Sequence, residues 1–140
     1  MDTDQAPYPK VRTGEGFAVG SLDDLGEGYG FRKVRRGLGV SAFGVNAIVM
    51  PPGYESNLHY HDVQEELYFV HRGTLEIELG DGTRHRLQEG SFARIDPPTP
   101  RRLRNVGEGD VIYVCVGGRG GYIGRDAHLV EGDQGGPATA

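Results

Sequence analysis

The sequence predicts an all-β barrel, and three observations carry that expectation. Glycine and proline, 24 and 8 of 140 residues, break the chain too often for long helices but leave room for strands. Apolar and charged residues alternate in period two, most clearly where Leu75, Ile77 and Leu79 flank Glu76 and Glu78, the pattern of a half-buried strand. Turn signals recur at roughly 8 to 12 residue spacing, which suits a sandwich or barrel and not a parallel α/β sheet.

Taken in order, Val40 to Met50 is a strand of small and β-branched residues with Val45, Ala47 and Val49 on one face, ended by Pro51-Pro52-Gly53. Strands follow over Ser56 to His61, Glu66 to His71 and Thr74 to Leu79. Gly80-Asp81-Gly82 is a hairpin signal leading into Arg84 to Gln88, and Glu89-Gly90 turns the chain into Ser91 to Ile95. The prolines between Asp96 and Pro100 remove backbone donors and make a rigid loop before Arg101 to Asn105. Val111 to Val116, the most apolar run, closes the barrel. It is apolar on both faces, which predicts a covering partner and hence a homodimer. One or two helical turns are expected near Ser21 to Leu25, with Ser21 as the cap and Asp23 and Asp24 at the positive end of the dipole. Gly117 to Gly124 lacks the Lys-Ser/Thr of a phosphate loop and reads as a flexible exit strand. The chain divides into an N-terminal arm (1–30), a barrel (31–125) and a tail (126–140), with disorder expected over Gly132 to Ala140.

A chain of 140 residues is one domain, since halves of it would be too small to bury a core. The net charge of -5 argues against a nucleic-acid partner, which needs an excess of Lys and Arg. Cys115, the single cysteine, excludes an intrachain disulfide and fits a reducing compartment, so a cytoplasmic address is expected. No apolar stretch is long enough to span a bilayer, and Met1 to Lys10 is acidic and proline-bearing, so neither a membrane anchor nor a signal peptide is expected.

The chemistry concentrates in one place. His59 and His61 are two apart, and strand residues i and i+2 project from one face about 7 Å apart, close enough for two imidazoles to meet on one ion. Glu66 begins the next strand, and a hairpin through Asp62-Val63-Gln64-Glu65 returns it beside them. Glu65 is the competing carboxylate, facing the opposite way. His71, His85 and His128 read as surface residues.

The frame Gly53, His59-Tyr60-His61, Glu66, Gly73 resembles the first motif of the cupin superfamily. The resemblance implies a double-stranded β-helix, a jelly-roll barrel, with His59, His61 and Glu66 as ligands of a divalent metal. Gly90 to Asn105 resembles the second motif but departs from it: Arg101 stands where that motif has a fourth ligand, a histidine, and Pro98 stands where it has a glycine. The resemblance covers about residues 40 to 116.

Arginine is always protonated and cannot ligate. Two arrangements remain open. Either Arg101 turns inward and pairs with Glu66 in a metal-free polar pocket, or it points to the mouth and the ion keeps three protein ligands. Two histidines and a carboxylate suit Fe, Zn, Mn or Ni. A guanidinium about 5 Å from the ion costs on the order of 6 kcal/mol, against roughly 10 to 16 kcal/mol for a structural zinc site, so it weakens binding without forbidding it. Arg101 would also meet an anionic ligand. Tyr68 and Tyr113 share parity with Glu66 and Cys115 respectively, and core packing and substrate contact are both open to them. Cys115 itself reads as structural. The expected function is binding of a metal and a small organic molecule, with metal-dependent oxygenase or isomerase activity. The alternative is a metal-free ligand-binding or sensor barrel.

Overall fold

The computed structural model describes residues 8–133. Twelve strands and one short helix are present among them: β1 (Arg12–Gly14), β2 (Phe17–Val19), β3 (Gly30–Arg32), α1 (Val34–Leu38), β4 (Gly44–Met50), β5 (His59–His61), β6 (Glu65–Arg72), β7 (Leu75–Leu79), β8 (Arg84–Leu87), β9 (Phe92–Ile95), β10 (Arg101–Asn105), β11 (Val111–Gly118) and β12 (Ala127–Leu129). Two five-stranded antiparallel sheets, β12-β5-β10-β7-β8 and β3-β4-β11-β6-β9, enclose the core, and β1 and β2 form a separate ribbon. This is the expected double-stranded β-helix.

Parity sets what each sheet buries. Leu75 and Ile77 of β7, Leu103 of β10, Tyr68 and Val70 of β6, and Val111 and Tyr113 of β11 are all buried in one cluster. On β4 the residues paired with Val111, Tyr113 and Cys115 are Met50, Ile48 and Asn46, so the Val45-Ala47-Val49 face points outward.

The two outer faces differ. On the sheet of β7 and β10, Glu78 and Glu76 stand opposite Arg102 and Arg104, and Arg104 Nη1 reaches Glu78 at 2.6 Å, a cross-strand charge ladder. On the other sheet Phe69 stands opposite Phe92 and Val114, and Leu67 opposite Val116, an apolar outer face.

Two connections depart from the sequence reading. Asp62 to Gln64 is not a hairpin turn, because β5 pairs with β10 and β12 while β6 pairs with β11 and β9. The link crosses between the sheets, as closing a barrel requires, so Glu66 meets the histidines across the interior. The segment after residue 125 supplies β12, which pairs along β5 in register Ala127 to His61 and Leu129 to His59. Asp133 accepts a hydrogen bond from Leu58 N at 2.9 Å and pairs with Arg102; most of the stretch expected to be disordered lies outside the described residues. The helical turn expected near Ser21 is present as a single 3-10 turn at Asp23–Leu25, where Ser21 Oγ accepts from Asp24 N and Ser21 N donates to Asp24 Oδ2. The short α1 was not anticipated, since five residues carry no periodic signal.

The bounding glycines of the histidine frame are held for different reasons. Gly53 and Gly73 both have positive φ, 84° and 83°. A Cβ at Gly53 would meet nothing, whereas one at Gly73 would lie 2.5 Å from the Asp110 carbonyl oxygen. Gly53→Ala is therefore expected to destabilise by about 1 kcal/mol, the left-handed strain alone, and Gly73→Ala by at least about 2 kcal/mol more, since backbone must move. Urea denaturation of the two variants measures the difference.

Candidate metal and ligand site

The site is built from both sheets. His59 and His61 stand on β5 with both rings buried and ring centroids 5.7 Å apart. His59 Nδ1 lies 3.2 Å from the Asn57 carbonyl oxygen, which can only accept, so Nδ1 carries the proton and Nε2 the lone pair. That Nε2 is buried and has no hydrogen-bond partner among the described residues. Glu66 enters from β6, with Oε1 3.1 Å from His61 Nε2. One ligand atom from each of the three lies within 4.8 Å of the others. Glu65, the competing carboxylate, is exposed and near Arg94.

Glu66 is the acceptor on which the interior converges. Tyr68 Oη donates to Oε1 at 2.7 Å, Arg101 Nη1 to Oε1 at 3.1 Å and Cys115 Sγ to Oε2 at 3.0 Å. Burial pushes the Glu66 carboxyl up, but hydrogen bonding and attraction to His61, with the bonds from Cys115 and Tyr68, outweigh it and hold the group at about 2. Burial and then the Glu66 charge raise both Tyr68 and Cys115 far above their usual ranges, so each stays a proton donor. Burial lowers His59 to about 4, and nearby Arg101 acts in the same direction.

Arg101 is fully buried and stands beside His59 in register, so its side chain turns inward and not to the mouth. Tyr68 and Tyr113 are also fully buried; Tyr113 Oη lies 3.5 Å from Tyr54 Oη. None of the three lines the open cleft. His71 and His85 are exposed, and His128, also exposed, stacks on Tyr60 from β12.

The structure adds residues that the sequence reading did not mark. Asp126 accepts from the backbone N–H of Val63 at 3.1 Å and of Gln64 at 2.9 Å and lies 3.5 Å from His61 Nδ1. Gln64 Nε2 is 3.0 Å from the same nitrogen. For His61 to offer Nε2 to an ion, Nδ1 must hold the proton, and Asp126 Oδ2 can accept it, as can the Gln64 amide oxygen once the amide is turned over. An open cleft of about 570 Å³ leads down to His61, Gln64, Glu66 and Cys115. It is open because Gly44 and Gly117 stand in one cross-strand row with Glu66 and bring no side chains; a Cβ on Gly117 would lie 3.1 Å from Gln64 Oε1. In sequence Gly44 reads as one of the small residues of a strand and Gly117 as the start of a flexible exit.

A family model described as a cupin domain matches residues 46–117, half of the chain, and the protein belongs to the cupin family. The structure is similar to a double-stranded β-helix protein from Klebsiella pneumoniae at TM-score 0.64 and 21% identity, over 81% of this chain and 96% of that one. It is also similar to a cupin-superfamily sugar phosphate isomerase from Silicibacter pomeroyi at TM-score 0.56 and 25% identity, over 76% of this chain and 77% of that one. An uncharacterized protein of Methanocaldococcus jannaschii is 28% identical over 67 residues, 48% of this chain and 53% of the relative; the chain thus spans about half the length of that curated relative.

The donor set fits a divalent ion. His59 Nε2 is a buried lone pair facing a carboxylate, and a carboxylate has about four acceptor sites, enough for Glu66 to serve its three donors and an ion. The depressed His59 also gives metal-free protein a pH signature. As pH falls from 6.5 toward 4 the unfolded chain takes up a proton that the folded chain refuses, so this contribution to stability is complete above about 6.5 and declines toward 4. Urea midpoints of metal-free protein are expected to fall over that window by an amount equivalent to roughly 2 to 3 kcal/mol, and by clearly less in His59→Gln.

Proposed function

We propose that the chain binds a divalent metal ion through His59, His61 and Glu66 and takes a small organic molecule through the cleft that opens onto His61 and Glu66. The observation that carries the reading is the His59 Nε2 lone pair, buried, unpartnered and within reach of the His61 and Glu66 ligand atoms, a polar atom that is costly to bury without a partner. When bound, the ion supplies Lewis-acid or redox chemistry at positions open to the ligand. The protein would then be a metal-dependent isomerase or oxygenase, and likeness to the Silicibacter isomerase favours the former. The chain's own part is to hold Glu66 ionised through Tyr68, Cys115 and Arg101, to keep His59 neutral, and to fix the His61 ring between Gln64 and Asp126. Fe, Zn, Mn and Ni all accept this donor set.

A metal-free ligand-binding or sensor barrel is the second reading. It is favoured by Arg101, whose guanidinium already meets Glu66 at 3.1 Å. Elemental analysis of the full chain separates the two. His59→Ala, His61→Ala and Glu66→Ala are each expected to cut metal content sharply, and unchanged stoichiometry in all three would sink the metal reading. Arg101→His removes a charge and adds a donor on the same face, so zinc or nickel affinity should rise at least about tenfold; no gain would mean that Arg101 does not act on the ion.

A homodimer and a cytoplasmic address complete the proposal. The address rests on the single buried cysteine; among the described residues no helix is long and apolar enough to cross a membrane. The dimer rests on the apolar outer face, where Phe92 is 62% exposed and Leu67 40%, while the charge ladder covers the other sheet. Light scattering is expected to give twice the chain mass and, for Phe92→Glu, the mass of one chain. A parent protein that stays monomeric at high micromolar concentration removes the dimer.

A further inference from the structure

The cleft carries a charge opposite to that of the chain. Against a net -5, its wall holds four cations from two distant segments: Lys33, Arg35 and Arg36 at and beside α1, and Arg125 just before β12. The acidic groups at the same opening are Glu66 and Asp126, and both are buried and engaged, Glu66 with its side-chain donors and Asp126 with backbone N–H groups. A molecule entering the cleft meets the cations first.

Three of these cations differ from the arginines that are paired on the sheets. Arg84, Arg94, Arg102 and Arg104 sit within 4 Å of carboxylates. No ion pair involves Lys33, Arg35 or Arg125 among the described residues. The Arg35 guanidinium lies instead over the Tyr122 ring, 4.1 Å from its centroid, which holds its position without neutralising its charge. Arg125 is the one non-glycine residue with positive φ among the described residues, at 55°. A bulky side chain in that region is strained, and such strain gathers at ligand sites. The buried part of the lining includes Gln64, His61 and Glu66, and half-buried Asn46 adds a second neutral amide to the wall.

The geometry points to a small organic dianion as the ligand, its doubly charged oxyanion, a phosphate monoester or a carboxylate pair, held at the mouth by Arg35, Arg125 and Lys33 with Arg36. The rest of the molecule would reach toward Gln64 and Glu66, which line the same cleft. Guanidinium forks match both oxyanions, and the cleft has the volume of a small-molecule site. This reassigns anion recognition from Arg101, which is spent on Glu66, to the rim. It rests on the reading that the cleft takes an organic ligand, and does not need the metal.

Calorimetric titration of the full chain with glycerol 3-phosphate, succinate and uncharged glycerol tests it, in metal-free and zinc-loaded protein. At least one anion is expected to bind at least about tenfold tighter than glycerol, and the tighter one identifies the oxyanion. Arg35→Gln and Arg125→Gln should each weaken it about fivefold or more. Arg35→Lys should lose less, and Arg86→Gln, exposed on β8, should lose nothing. Thermal denaturation of each variant separates binding from misfolding. Anions that bind no tighter than glycerol in both forms, or an Arg86→Gln loss as large as that of Arg35→Gln, would overturn the inference. Anion binding in a protein that never retains zinc would overturn the metal reading alone.

Discussion

The contact between Glu66 and Arg101 is the constraint on which the rest of the interior depends. One residue lies on β6 and the other on β10, in different sheets, so the pair ties the two halves of the barrel together through its centre. Two charges buried to 2% and 0% exposure are tolerated only with good geometry and further hydrogen bonds, and removing one partner strands the other charge. Tyr68 and Cys115 supply those further bonds. The tyrosine and cysteine parities, which from sequence look like ordinary core, exist to serve one carboxylate.

That convergence shapes what the site can do. Glu66 is held ionised and His59 neutral, so the pocket presents a negative oxygen and a free nitrogen lone pair to the same volume. Arg101 is the counterweight. It neutralises Glu66 without an ion, and it opposes any ion that arrives. The balance between these two effects decides whether the barrel works with a metal or as a binding pocket, and it rests on a single side chain at the position where a fourth ligand would otherwise stand.

Residues after 125 shape the candidate site as much as the histidines do. Asp126 anchors the link between β5 and β6 by accepting from Val63 and Gln64, and β12 covers the free edge of β5. The sequence just before it carries Tyr122 and Arg125 to the cleft wall. Two glycines opposite Glu66 leave the opening, and cations surround it, so an acidic protein presents a basic mouth above a charge-balanced interior.

By itself the sequence determined the strands from β4 to β11, the shared face of His59 and His61, and the family frame around them. Those features are local: period-two burial, turn residues and fixed spacing are written within a few neighbours of each residue. Tertiary structure decided the rest. The sheet to which β6 belongs, the inward turn of Arg101, the Cys115 bond to Glu66 and the Asp126 clamp on Gln64 join residues 35, 49 and 62 positions apart, and no periodicity encodes a meeting across a barrel. The same holds for the cationic mouth, whose basic residues at 33–36 and 125 carry no periodic signal and meet only where closure of the sheets brings them to one opening.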